Sequence, residues 1–209
     1  MRARGVLRPP SGLGGKLALT LIVLSVLGTM TAAATWSAFS ATTSNASNSF
    51  SAGTVSLTDN DSGSAMLALS TAKPGDTDTS CIKVTYTGNL SSTVRLYGTT
   101  TGTGLDAYLD LVVTRGTYTP SEPSFDSCTN FSADSTNYIG AGNGVIYSGT
   151  LQAWADDYTT GLVDPYATSP ETWTNNEVHV YKFTVTLQNN NSAQGLNATQ
   201  TFTWESRNQ

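Results

Sequence analysis

Apolar and polar residues alternate one for one through several stretches of this 209-residue chain, and a period of two commits them to half-buried strands. In 81–87, Ile82, Val84 and Tyr86 share one face, while Cys81, Lys83 and Thr85 share the other. Phe183, Val185 and Leu187 alternate with Lys182, Thr184 and Thr186. Phe202 and Trp204 alternate with Thr201, Thr203 and Glu205. Residues 54–57, 66–69, 93–96, 108–115 and 144–148 are further candidate strands. Asp59-Asn60-Asp61-Ser62-Gly63 and Lys73-Pro74-Gly75-Asp76 punctuate them with turn chemistry. About eight short strands so bounded predict an all-β chain built as a sandwich of two antiparallel sheets. Only 150–158 (TLQAWADDY) reads as helical. The stretch 116–144 is polar and irregular and reads as a long loop, and no fixed-period repeat is present.

The N-terminus reads as an export signal. Arg2, Arg4, Arg8 and Lys16 precede the uncharged run 17–27, and small residues follow. The expected organisation is a signal-peptide helix over 1–38, a mature N-terminal extension over 39–50 and a sandwich domain over 51–209. The competing reading is an uncleaved membrane anchor, because 17–34 is uncharged throughout. Cleavage after Ala38 would leave a chain long enough for a sizeable core. It would remove four of the ten basic residues and none of the 15 acidic ones, giving a mature net charge of −9. That balance argues against nucleic-acid binding. Membrane contact is then expected only through the signal segment.

Two cysteines, Cys81 and Cys128, lie in the exported part, and an oxidising compartment favours pairing them. Cys81 sits on the polar face of its strand and Cys128 in the long loop. A disulfide would therefore pin that loop over the outside of a sheet.

A search for chemistry finds no catalytic residue, no cofactor motif and no complete metal-ligand set. His179 is the single histidine and reads as structural. No H-E-x-x-H or G-x-S-x-G motif is present. Asp59 to Gly63 has the spacing of the front half of a calcium loop, but Ser70 stands where the bidentate glutamate belongs. Trp154, Trp173, Tyr158 and Tyr166 form either a sugar-stacking platform or core packing.

The junction around 34–57 carries a resemblance. Thr35-Trp36-Ser37-Ala38-Phe39, followed by Phe50-Ser51-Ala52-Gly53-Thr54-Val55-Ser56-Leu57 and then Lys73-Pro74-Gly75-Asp76, resembles the TasA/camelysin family of exported Gram-positive proteins. The resemblance implies a dedicated signal peptidase that accepts Trp36 and cuts between Ala38 and Phe39. It implies a jelly-roll-like sandwich and a secreted, cell-surface or biofilm-matrix role. TasA-like members build fibres by lending an N-terminal strand to the next subunit, and camelysin-like members have been called metallopeptidases. Here 39–49 (FSATTSNASNS) has no charge, no Pro and no Gly, and is the candidate donor strand. The expected partners are copies of the chain itself or other matrix and cell-wall components. A secreted glycan- or protein-binding module is the alternative, and a peptidase the third reading.

Overall fold

The computed structural model describes residues 54–208, together with Gly14. The signal segment, Trp36, the cut between Ala38 and Phe39, the extension 39–50, Phe50 and Gly53 lie outside the described residues.

The described chain forms nine strands in two antiparallel sheets, as the alternation predicted. They are β1 (Leu57–Asp59), β2 (Thr77–Tyr86), β3 (Ser92–Gly102), β4 (Leu109–Tyr118), β5 (Phe131–Ala133), β6 (Val145–Thr150), β7 (Leu162–Val163), β8 (Val178–Leu187) and β9 (Ala198–Asn208). One sheet runs β1-β2-β8-β4; β6 and β5 share the far side of β4, β6 along Asp110 to Thr114 and β5 along Gly116 to Tyr118. The other sheet has three strands, β7-β3-β9. Immunoglobulin-type sandwiches set strands A-B-E-D opposite C, F and G. Here β1-β2-β8-β4 occupies the first set and β3-β9 the C and F places. No strand fills the G place beside β9 among the described residues.

The inward parity follows the sequence pattern. Ile82, Val84 and Tyr86 of β2, Leu111 and Val113 of β4, and Tyr181 and Phe183 of β8 face Val94, Leu96, Phe202 and Trp204 of the smaller sheet. Phe183 and Phe202 meet across the layers at 4.5 Å between ring centres. Trp154 packs edge-on against Tyr147, Phe183 and Phe202. At Gly98 any Cβ would run into the Thr201 carbonyl, so this position of the β3–β9 pair needs glycine.

The Lys73-Pro74-Gly75-Asp76 motif is a turn with a structural task. Gly75 takes a φ of +88°, and Asp76 N–H donates to Lys73 O at 2.9 Å. Gly75 N–H then donates to Leu187 O at 2.7 Å, which fixes the start of β2 against the end of β8. Thr54, the described end of the junction motif, accepts from Asn89 N–H at 2.9 Å.

Four local expectations are corrected. Of 54–57 only Leu57 is in a strand, β1, which runs on to Asp59. The 150–158 stretch holds only a 3₁₀ turn over Leu151–Ala153, because Leu151 and Trp154 are drawn separately into the core. Residues 66–69 form no strand; Ala68 N–H is taken by the Asp78 carboxylate at 2.7 Å instead of a ladder. The 116–144 stretch is not all loop, since β4 continues to Tyr118 and β5 pairs with it.

Candidate functional site

Cys81 and Cys128 are disulfide-bonded, with Cα atoms 5.1 Å apart. Cys81 lies on the outer face of the larger sheet and is fully buried there, and Cys81 N–H donates to Asp126 O at 3.1 Å. Pro120, Ser121 and Glu122 of the pinned loop share a hollow with Val180 of that face, and Lys182 Nζ sits 5.2 Å from the centre of the Phe131 ring. The loop therefore lies over the outside of the sheet, where the parity of Cys81 put it. Replacing Cys81 by Ser is expected to lower stability by roughly 2–4 kcal/mol without abolishing the fold. Urea unfolding of the variant beside the parent measures it.

The Asp59 to Gly63 turn uses its oxygens internally. Asp59 Oδ1 accepts from Asp61 N–H at 3.2 Å, and Asp61 Oδ1 from Gly63 N–H at 2.6 Å. Trp154 and Trp173 are 6% and 0% exposed and belong to the core, whereas Tyr158 and Tyr166 are half-buried, with Arg95 and Arg207 over the Tyr158 ring.

Arg115 is the residue that the sequence reading passed over. It continues the inward series Leu109, Leu111, Val113 on β4, so its parity puts a charge on the apolar face. Its side chain is 5% exposed. Nη1 donates to Asp134 Oδ2 at 2.8 Å, Nη2 pairs with Glu171, and Nε lies 3.3 Å from Asp164 Oδ1. Asp164 is fully buried and accepts from Trp173 Nε1 at 3.0 Å. Tyr138 OH donates to Asp134 Oδ2 at 2.8 Å. One guanidinium thus ties two loops to one end of the sandwich. Desolvation alone would weaken the Arg115 charge, but Asp164 and its neighbours hold it above the ordinary value.

Asp164, Glu171 and His179 present ligand atoms within 4.8 Å of one another. They do not fit a metal, because Arg115 Nη2 lies 2.8 Å from His179 Nε2, and the guanidinium is the cation at this point. That bond requires Nε2 to accept, whereas Glu177 Oε1, 3.1 Å away, requires it to donate. Burial, then Arg115, lowers the His179 pKa, which favours the neutral ring that accepts from Arg115.

Fully buried Asp164 and half-buried His179 pull stability in opposite directions. Burial raises Asp164 from 3.8 to about 6, so its contribution is fully present below 3.8 and is lost as pH rises through about 6. His179 is lowered from 6.5, so its contribution is present above 6.5 and is lost as pH falls through the folded value. His179→Gln is expected to remove the second slope. Its unfolding midpoint in urea should fall less than the parent's on acidification from pH 6.5, with Asp164 then adding stability towards pH 4.

The second feature is the free side of β9. This strand pairs with β3 without a break from Ala198 to Asn208. Gly98 N–H donates to Ala155 O and Val94 O accepts from Asp164 N–H, so both turn away from β9. Their partners Phe202 and Ser206 must then turn away from β3, and in an antiparallel ladder the alternation extends this to Gln200 and Trp204. Among the described residues no strand meets these groups. Beside the start of the edge lies an apolar cleft of about 370 Å³, lined by Met66, Leu67, Leu69, Leu105, Ala198 and Phe202, among others. Whether a strand is an edge is a matter of topology, and no residue of β9 announces it. In comparison with known proteins, no family model and no curated protein matches this chain.

Proposed function

We propose that the mature chain is a secreted structural protein of the cell surface or biofilm matrix that assembles by donating residues 39–49 as a strand to the next copy. The observation that carries this reading is the second side of β9, which no strand meets among the described residues. Sheets normally blunt such edges with Pro, bulges or inward charges. β9 has no Pro, keeps its register over 11 residues, and points Phe202 and Trp204 inward. The uncharged segment 39–49 has the same length, and strand addition would satisfy the open backbone groups. The cleft beside Ala198 and Phe202 supplies a seat for a large apolar side chain, and Phe39 and Phe50 flank the donor segment.

Of the alternatives, a glycan-binding module loses both tryptophans of its aromatic cluster to the core, and a metallopeptidase loses its metal position to Arg115. Electron microscopy of the purified mature protein tests the proposal. Fibres are expected, and a protein that stays monomeric at high concentration overturns it.

A further inference from the structure

A second cluster of reactive groups lies on the outer side of the larger sheet, away from Arg115. Asn60 follows directly on β1, Lys83 is central in β2, and Glu122 belongs to the loop pinned by the disulfide. The Glu122 carboxylate touches both of the others: Oε1 accepts from Asn60 Nδ2 at 3.2 Å, and Oε2 pairs with Lys83 Nζ. The carbonyl of the same Asn60 amide is held from the other side, since Lys83 N–H donates to Asn60 Oδ1 at 2.9 Å. The Lys83 and Glu122 side chains are 28% and 37% exposed. Tyr118, Pro120, Val178 and Val180 wall the hollow beside them.

Each contact has a part to play in acyl transfer. An amine and an amide share one carboxylate, and a backbone donor points at the oxygen on which negative charge would develop. We infer that Lys83 and Asn60 join in an intramolecular amide cross-link, with Glu122 moving the protons. Glu122 takes a proton from the Lys83 ammonium, and the free amine attacks Asn60 Cγ. A bond forms between Nζ and Cγ, and the charge on Oδ1 is met by the Lys83 N–H. The attacking nitrogen gives up its second proton through Glu122 to Nδ2. The Cγ–Nδ2 bond breaks, and ammonia leaves and takes up the remaining proton as ammonium. An amide replaces an amide, and no oxidant or further reactant is required.

The position gives the bond a use. β1 is a three-residue strand that pairs only with β2 among the described residues, and in sequence the N-terminal extension leads into it. Load arriving along that extension would peel β1 one hydrogen bond at a time. A covalent link from Asn60 to Lys83 passes the load into β2, which lies between β1 and β8. The cross-link itself does not depend on the assembly reading.

Intact-mass measurement of the purified mature protein, reduced and alkylated, tests it. The wild type is expected to be lighter than its sequence by one ammonia. Its tryptic map should lack cleavage at Lys83 and contain a branched peptide joining Lys83 to Asn60. Lys83→Arg should have full mass. Glu122→Gln should form the link at least about 100-fold more slowly, the usual scale for losing a general acid–base group. Both variants should keep the disulfide and the circular dichroism of the parent. Three results overturn the inference: full mass in the wild type after prolonged incubation at neutral pH, an ammonia loss located as a cyclic imide at Asn60 with Lys83 still cleavable, or an unchanged rate in Glu122→Gln.

Discussion

Deleting residues 39–49 is expected to give a folded monomer that forms no fibres, while the intact mature chain polymerises above a threshold concentration. The magnitudes explain the threshold. Backbone hydrogen bonds are worth only about 0.5–1.5 kcal/mol each net. Ordering the backbone costs about 1–2 kcal/mol per residue, so the ladder alone does not hold 11 residues in place. The balance must come from apolar burial, at roughly 1.5–3 kcal/mol for a fully buried large side chain. Phe39 and Phe50 are the large apolar groups at the ends of the donor, and the cleft beside Phe202 is the seat on the acceptor. A second variant tests the acceptor alone. Gln200 N–H faces the free edge, so Gln200→Pro removes an outward donor and leaves the β3 ladder, a place where sheets tolerate proline. It should remain a folded monomer yet fail to extend fibres of the parent. A deletion variant that polymerises as well as the parent would show the segment to be a tail.

Arg115→Met is expected to lower stability by about 3–5 kcal/mol, the scale for breaking a buried ion pair from one side. It leaves Asp164, which is fully buried, facing Glu171 and Asp134 with no cation between them. Against a total of about 5–15 kcal/mol this is a large fraction. In a domain of this size the melting temperature should fall by roughly 6–20 °C. Arg115→Lys should recover little, because one ammonium cannot reach three carboxylates that a planar guanidinium meets at separate nitrogens. Arg115→Met combined with Asp164→Asn should recover more, since the stranded charge is gone and the amide oxygen still accepts from Trp173 Nε1. Urea unfolding of the three variants checks the order. A loss below about 1 kcal/mol in Arg115→Met would mean that water reaches the carboxylates and the pair carries little.

The fold was readable where side chains alternate and burial agrees with the alternation, as in 81–87, 182–187 and 201–205. It was misread where tertiary contacts take over a local pattern. Met66 to Leu69 has the composition of a strand, but it lies across the cleft with its backbone bonded to a carboxylate. Leu151 and Trp154 have helical spacing, yet the core takes them one at a time. The extension of β4 through Gly116 was hidden because glycine there signals a turn, whereas in the sheet it lets Ser132 approach. Arg115 was legible in part: its parity on β4 is inward, and a charge on an inward face demands partners. Which carboxylates would answer it was not legible, because Asp134, Asp164 and Glu171 lie in segments with no period. The donor–acceptor reading divides in the same way. The composition of 39–49 is written in the sequence, while the side of β9 that no strand meets among the described residues appears only once the strand order is known.

The guanidinium of Arg115 also makes one cooperative unit of two loops that are distant in sequence. Asp134 and Tyr138 come from one, Asp164, Glu171 and Trp173 from the other, and neither can swing away without abandoning a desolvated charge. Long loops usually open locally at little free energy and are nicked first. These two open only when the end of the sandwich opens, so their amides should exchange with the slow population of the core strands. Two irregular segments thereby sit at the local stability of the core, held there by a single side chain.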